Sequence, residues 1–107
     1  MITFEDFKKL EIKIGRILSA KRVEGTDKLI ELLVDIGTEE RTLVAGIAQS
    51  YSAEELPGKL IPVLVNLEPK KMRGITSHGM ILAATEMEGK PVLLHPDRDV
   101  LPGSEVR

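Results

Sequence analysis

Apolar and polar positions change their spacing several times along the chain, and each change marks an element. Phe4 and Phe7 stand three apart behind Thr3, with Asp6 three residues after it. That pattern is an N-cap with an acidic partner, and it predicts a short helix over Phe4–Leu10 whose two rings share a face and pack downward. From Glu11 the period drops to two. Ile12 and Ile14 alternate with Glu11 and Lys13, Gly15 interrupts, and Ile17 and Leu18 resume. A glycine inside an alternating strand predicts a bulge or sharp coil. Gly25-Thr26-Asp27 is a turn, and Lys28–Ile36 alternates again, with Ile30, Leu32, Val34 and Ile36 on one face. Gly37–Glu40 leads into a third strand, Arg41–Ile47. Ser52 before Ala53-Glu54-Glu55-Leu56 predicts a capped helix stopped by Pro57-Gly58. Leu60–Leu67 follows as a fourth strand, in which Pro62 favours an edge or a bulge. His78–Ala84 is a fifth, Pro91–His95 a short addition, and HPDRDVLPGSEVR an irregular tail.

Three strands, a helix, then two strands is the order of an OB-fold. The predicted class is therefore all-β: a five-stranded Greek-key barrel with a short N-terminal helix, one inter-strand helix and a C-terminal extension. A length of 107 residues suits a single domain over 1–107, with the barrel at about 11–85 and the extension at about 86–107. Apolar content of 42% with 30% charged residues is that of a globular chain. No apolar stretch is long enough to span a bilayer, MITFEDFKK lacks the layout of a signal peptide, and there is no cysteine. A cytoplasmic protein without membrane association is expected.

A net charge of −2 counts against gross nucleic-acid binding, but the charge is unevenly placed. Lys8, Lys9, Lys13, Arg16, Lys21 and Arg22 face Glu11 alone within 8–22, and Lys59, Lys70, Lys71 and Arg73 face Glu68 alone within 59–78. Acids gather at Glu39-Glu40, Glu54-Glu55, Glu86 and Glu88. A local positive face can steer an anion even on an acidic protein. For any single lysine, a solvated strand edge is the blander and commoner reading.

The stretch NLEPKKMRGITSHGMILAAT, residues 66–85, is where the chemistry concentrates. Lys70, Lys71 and Arg73 can contact phosphates, and arginine can bridge two phosphate oxygens. Gly74 and Gly79 would let the backbone approach a polymer closely. Ser77 could meet a 2′-hydroxyl and Met80 an unstacked base, against the alternatives of a turn hydroxyl and a core methionine. Lys13 and Arg16 are expected to join this RNA-binding face, pointing towards it around the Gly15 bulge. Catalysis finds no support: Ser77 and His78 are adjacent and so point to opposite sides of a strand, and His78 and His95 lack ligand spacing. No catalytic residue, metal or cofactor is expected. The only aromatics are Phe4, Phe7 and Tyr51, none in a predicted barrel strand, so there is no platform for stacking single-stranded bases. Binding dominated by backbone and shape is expected instead, sensitive to salt.

The segment Asn66-Leu67-x-Pro69-x-Lys71-Met72-Arg73-Gly74-x-x-Ser77-x-Gly79-Met80 resembles the signature of the tRNA-binding domain family. Members occur as the C-terminal appendix of methionyl-tRNA synthetases and as free-standing proteins. Ile14-Gly15-Arg16-Ile17, Asp27-Lys28-Leu29, Ala45-Gly46-Ile47, Tyr51-Ser52-x-Glu54-Glu55-Leu56-x-Gly58-Lys59 and Pro102-Gly103-Ser104 extend the likeness over almost the whole chain. Glu11 and Lys13 depart from the Asp-x-Arg often found before the first-strand glycine, and Val23–Thr26 replaces a frequent His-Pro. The resemblance implies an OB-fold that binds tRNA by shape, with contacts at Asn66, Lys71, Arg73, Ser77 and Met80. It also implies a homodimer built partly through residues after the barrel, and a trans-acting partner of methionyl-tRNA synthetase. A related branch resembles an export chaperone that engages unfolded protein. That branch lacks the Arg-Gly-x-x-Ser-x-Gly-Met run that stands here as Arg73–Met80.

Overall fold

The computed structural model describes residues 1–107. Helix α1 (Phe4–Phe7) precedes strands β1 (Ile12–Arg22), β2 (Ile30–Asp35) and β3 (Glu40–Ala45). A single 3-10 turn, Ala53–Glu55, leads to β4 (Leu60–Leu64). Then come β5 (Lys70–Met72), β6 (Ile75–Ser77), β7 (Met80–Ile81), β8 (Ala83–Thr85), β9 (Pro91–Leu93) and β10 (Glu105–Val106). The main sheet runs β3-β2-β1-β4-β7, all antiparallel. It curls until the His78 N–H donates to the Thr42 carbonyl at 2.9 Å, which brings the fifth barrel strand beside the third. The chain is therefore the predicted nearly closed, OB-like barrel.

Alternation in β2 puts Ile30, Leu32 and Val34 wholly inside, where they meet Ile17, Leu43, Leu56, Ile61 and Val63. Burying each such side chain stabilises by about 1.5–3 kcal/mol, which makes this interior the main support of the fold. Gly15 lies in β1 without a bulge, in register with Ile61. Its role is close approach, since a Cβ there would sit 2.5 Å from Val34 Cγ1. The irregularity falls three residues later, where Leu18 is the extra residue between the pairs Ile17–Val34 and Ser19–Leu33.

Several predicted elements are shorter than the pattern implies: the third and fourth strands end at Ala45 and Leu64 rather than Ile47 and Leu67, the helix after Ser52 is only the 3-10 turn, and two further cases have a visible cause. Helix α1 keeps its Thr3–Asp6 capping box but ends at Phe7, and Phe4 is 71% exposed rather than packed downward. Its four residues present too little apolar surface to seat both rings. The predicted fifth strand divides at Leu82. Pro62 accepts a hydrogen bond from Leu82 N–H at 3.0 Å but has no N–H to return. The ladder with β4 loses a rung, and the chain leaves to pair Ala83–Thr85 with Pro91–Leu93. Tyr51 anchors that second ribbon, its phenol oxygen accepting from Leu93 N–H at 3.0 Å.

The tail is more ordered than its irregular composition suggests. Ser104 accepts from Ile14 N–H and Gly103 donates to the Ile14 carbonyl, and Val106 then pairs with Ile12. The loop before β10 fits because Gly37 and Gly103, both at positive φ, pack together. A Cβ on Gly37 would lie 2.7 Å from the Pro102 carbonyl oxygen. No helix is long and apolar enough to cross a membrane.

Candidate nucleic-acid interface

What the sequence presents as a basic loop is a β-ribbon. Lys70 pairs with Ser77, Lys71 with Thr76 and Met72 with Ile75. The two residues at the tip, Arg73 and Gly74, have φ values of 51° and 81°. Positive φ at both central positions makes this a type I′ hairpin turn, whose twist matches that of the strands. Gly74 is there for that conformation. Arg73 is the only non-glycine residue of the chain at positive φ, a position that disfavours L side chains by about 1–2 kcal/mol.

Directly opposed residues share a face of a ribbon, so Met72 and Ile75 go with Lys70 and Ser77, while Lys71 and Thr76 occupy the other side. Ser77 is only 3% exposed, so the first face is the one turned to the barrel. Lys70, Lys71 and Arg73 are all exposed and take part in no ion pair. Elsewhere Lys8, Lys9, Lys21 and Lys90 each sit within 4 Å of a carboxylate, at 3.8, 3.5, 3.8 and 3.9 Å. Lys13, Arg16, Arg22, Lys28 and Lys59 also make no ion pair, and what distinguishes the ribbon is that three such cations fall within four residues. Met80, on β7, is 45% exposed and is not a core methionine.

Ser77 departs from the expectation that it meets RNA. Its hydroxyl accepts from the buried Val44 N–H at 2.9 Å and donates to the Gly79 carbonyl at 3.0 Å, so it stitches the ribbon to β3. Gly79 likewise faces inward, where a Cβ would stand 3.0 Å from Leu43 and from the Leu64 carbonyl, so its bareness serves packing rather than the approach of a polymer. Asn66, at the other foot, accepts from Glu11 N–H at 2.9 Å and donates to the Lys9 carbonyl at 2.7 Å. Asn66 is exposed, but both ends of its amide already hold the segment between α1 and β1.

Lys13 and Arg16 are not brought together. The register of β1 with β4 is regular from Ile12 to Arg16, so residues an odd number apart point to opposite faces. Arg16 is bound to the Gly58 carbonyl at 3.1 Å. Lys13 lies on the side of Glu39, whose carboxyl feels its charge.

Arg41 is a functional candidate that the sequence alone does not single out. Its Nε donates to Glu39 at 2.8 Å, and its Nη1 donates to the carbonyls of Val65 and His78. The guanidinium holds the Glu39 carboxyl below its ordinary pKa of 4.5, first through the hydrogen bond and then through charge. Nothing in EERTL distinguishes this arginine from a solvated strand residue; its partners lie far along the chain.

The tRNA-binding domain family matches residues 12–105. The chain is 55% identical over 105 residues to a methionine–tRNA ligase of Archaeoglobus fulgidus, covering 98% of this chain and 16% of the ligase. A ligase of Parabacteroides distasonis is 47% identical over 106 residues, with 99% and 16% covered. The chain thus spans about one-sixth of the length of these relatives. Among solved structures, a MetRS-related protein from Pyrococcus horikoshii superposes with a TM-score of 0.95 at 40% identity, covering 100% of this chain and 98% of that one. The chaperone CsaA from Bacillus anthracis superposes at 0.91 with 30% identity, covering 100% and 99%.

Proposed function

Because the chain belongs to the tRNA-binding domain family, we propose that it binds folded tRNA through the 70–77 ribbon, by shape and phosphate contact rather than by base sequence. The observation that carries this reading is the strained, unpaired Arg73 at the ribbon tip. A cation kept in an unfavourable backbone position and left without a carboxylate points to a partner that supplies the negative charge. Lys70, Lys71 and Arg73 are the phosphate contacts, Met80 packs against an exposed base or ribose, and Lys13 extends the positive edge. Asn66 and Ser77 serve mainly by holding the ribbon in place. Arg16 lies on the opposite face of β1 and makes at most a peripheral contribution.

The chain works as one non-catalytic domain over 1–107, in the cytoplasm, as a homodimer that raises the local tRNA concentration for a methionyl-tRNA synthetase. The dimer draws support from a surface hollow of about 400 Å³ whose lining is half apolar, from Phe4, Phe7, Leu10, Ile12 and Val106, and half polar or charged, with Lys13 at its rim; Leu101 is also 81% exposed. A second copy across a two-fold axis would cover these groups, and two ribbons on one tRNA would gain avidity.

The likeness to CsaA supports a second reading, a chaperone-like dimer that receives unfolded protein. The intact Arg73–Met80 run favours RNA. The test is binding to bulk folded tRNA at two salt concentrations against unstructured RNA of equal length, with Lys71→Ala/Arg73→Ala alongside. A salt-sensitive preference for tRNA that the double variant loses is expected. Equal binding to both RNAs would leave a general polyanion site, and no binding by wild type would favour the chaperone reading.

A further inference from the structure

We infer that Arg41 is a positioning residue for RNA binding: one guanidinium bridges the two feet of the ribbon and sets the angle at which Lys71 and Arg73 are offered. The inference rests on the tRNA-binding reading for its consequence, though not for its geometry. A two-stranded ribbon is marginally stable on its own in water, so this one depends on what anchors it. Asn66 holds only the ascending foot and Ser77 only the descending one. Arg41 alone reaches both. Its Nη1 donates to the carbonyl of Val65, just past the end of β4 where the chain sets out for the ribbon five residues on, and to the carbonyl of His78, directly after Ser77, the latter at 3.4 Å.

Glu39 orients the fork. With its carboxylate 2.8 Å from Nε, the guanidinium plane is fixed and Nη1 is directed across β3 to the two feet. The Arg41 side chain is 24% exposed and its charge has a partner. It is thereby set apart from Lys70, Lys71 and Arg73, which have none. Arg41 thus acts through the ribbon and does not itself meet phosphate.

The two roles separate in experiment. A phosphate-binding cation contributes to the salt dependence of binding, about 0.7–0.9 in the slope of log K against log salt for each phosphate it neutralises. A positioning residue changes affinity and ribbon order at constant slope. We would compare Arg41→Gln with Lys71→Ala/Arg73→Ala, measuring hydrogen exchange in the RNA-free protein and tRNA affinity across salt. For Arg41→Gln, amides of Lys70–Ser77 should exchange about tenfold faster or more, while Ile30–Asp35 stays protected. Affinity for tRNA should fall about tenfold, because Lys71 and Arg73 are no longer held at one angle to the RNA, with the slope unchanged. The double variant should flatten the slope and leave exchange alone.

A flattened slope with unaltered ribbon exchange in Arg41→Gln would make Arg41 a phosphate ligand and overturn the inference. So would unaltered exchange with unaltered affinity. Were Arg41→Gln not to fold, Arg41→Lys keeps the charge without the fork. It should show the same loosening, and full recovery of exchange and affinity by lysine would refute the bridge. Failure of wild type to bind tRNA would sink the proposed function, and the exchange measurement would still decide whether Arg41 braces the ribbon.

Discussion

The Ser77 hydroxyl is fully committed inside the protein, accepting from Val44 N–H and donating to the Gly79 carbonyl. Ser77→Ala would strand a buried N–H, so we expect a loss of about 1–3 kcal/mol in urea unfolding, with no change in the salt slope of RNA binding. Unaltered stability would mean that water replaces the hydroxyl. Arg73 offers the opposite contrast. Asparagine tolerates positive φ better than arginine, so Arg73→Asn should hold or raise stability by a few tenths to about 1 kcal/mol. The same change should weaken tRNA binding and flatten its salt dependence. A variant that loses stability would show that the tip is not strained in solution. The resemblance over residues 66–80 implies contact roles for Asn66 and Ser77, whose polar atoms the fold already engages. Their hydrogen-bond partners at Lys9, Glu11 and Val44 are set by tertiary packing, which spacing does not encode. Arg41 stays hidden in the sequence for the same reason.

At the level of elements, long alternating runs are legible in the sequence and short ones are not. Lys28–Ile36 contains β2 because its apolar period is sustained against one core face. The Lys70–Ser77 ribbon is too short and too polar to show any period, and Met72-Arg73-Gly74-Ile75 hides a turn whose first central position usually carries asparagine or aspartate. Pro62 is visibly awkward in a ladder, yet its consequence, the break at Leu82, emerges only once β7 is in register. The tail reads as irregular because β10 takes its hydrogen bonds from β1 rather than from a neighbour in sequence. Its seating depends on Gly37. We expect Gly37→Ala to cost more than about 1 kcal/mol, since the new Cβ meets backbone at 2.7 Å and positive φ is unfavourable. Hydrogen exchange at Ile14 and Gly103 should rise before that of β2. Uniform destabilisation without selective loosening there would show that the tail is not a separable layer.

Over the whole molecule, a formal charge of −2 conceals a division of labour. Lys8, Lys9, Lys21 and Lys90 have carboxylate neighbours, while Lys70, Lys71 and Arg73, which have none, stand within four residues of one another on a projecting ribbon. The hollow beside α1, with Phe4, Phe7, Leu10, Ile12 and Val106 among charged neighbours, is a second surface. Wild type should run in sedimentation at about twice its 11.8 kDa at micromolar concentration. Phe4→Asp, at an exposed position, should yield a folded monomer whose tRNA affinity is about 10²-fold lower through lost avidity. A monomeric wild type that binds as tightly as the variant would remove the dimer from the scheme.

The pairing of Val106 with Ile12 has one more consequence. A polypeptide that comes in at residue 11 goes out at residue 107 by a neighbouring doorway. Such a module can be spliced into, or hung from, a longer host through a single seam without rerouting either strand of the junction. The seam also lies beside one foot of the ribbon, because Asn66 bonds Lys9 and Glu11. Whatever a host attaches there, it grips the 70–77 ribbon at its shoulder.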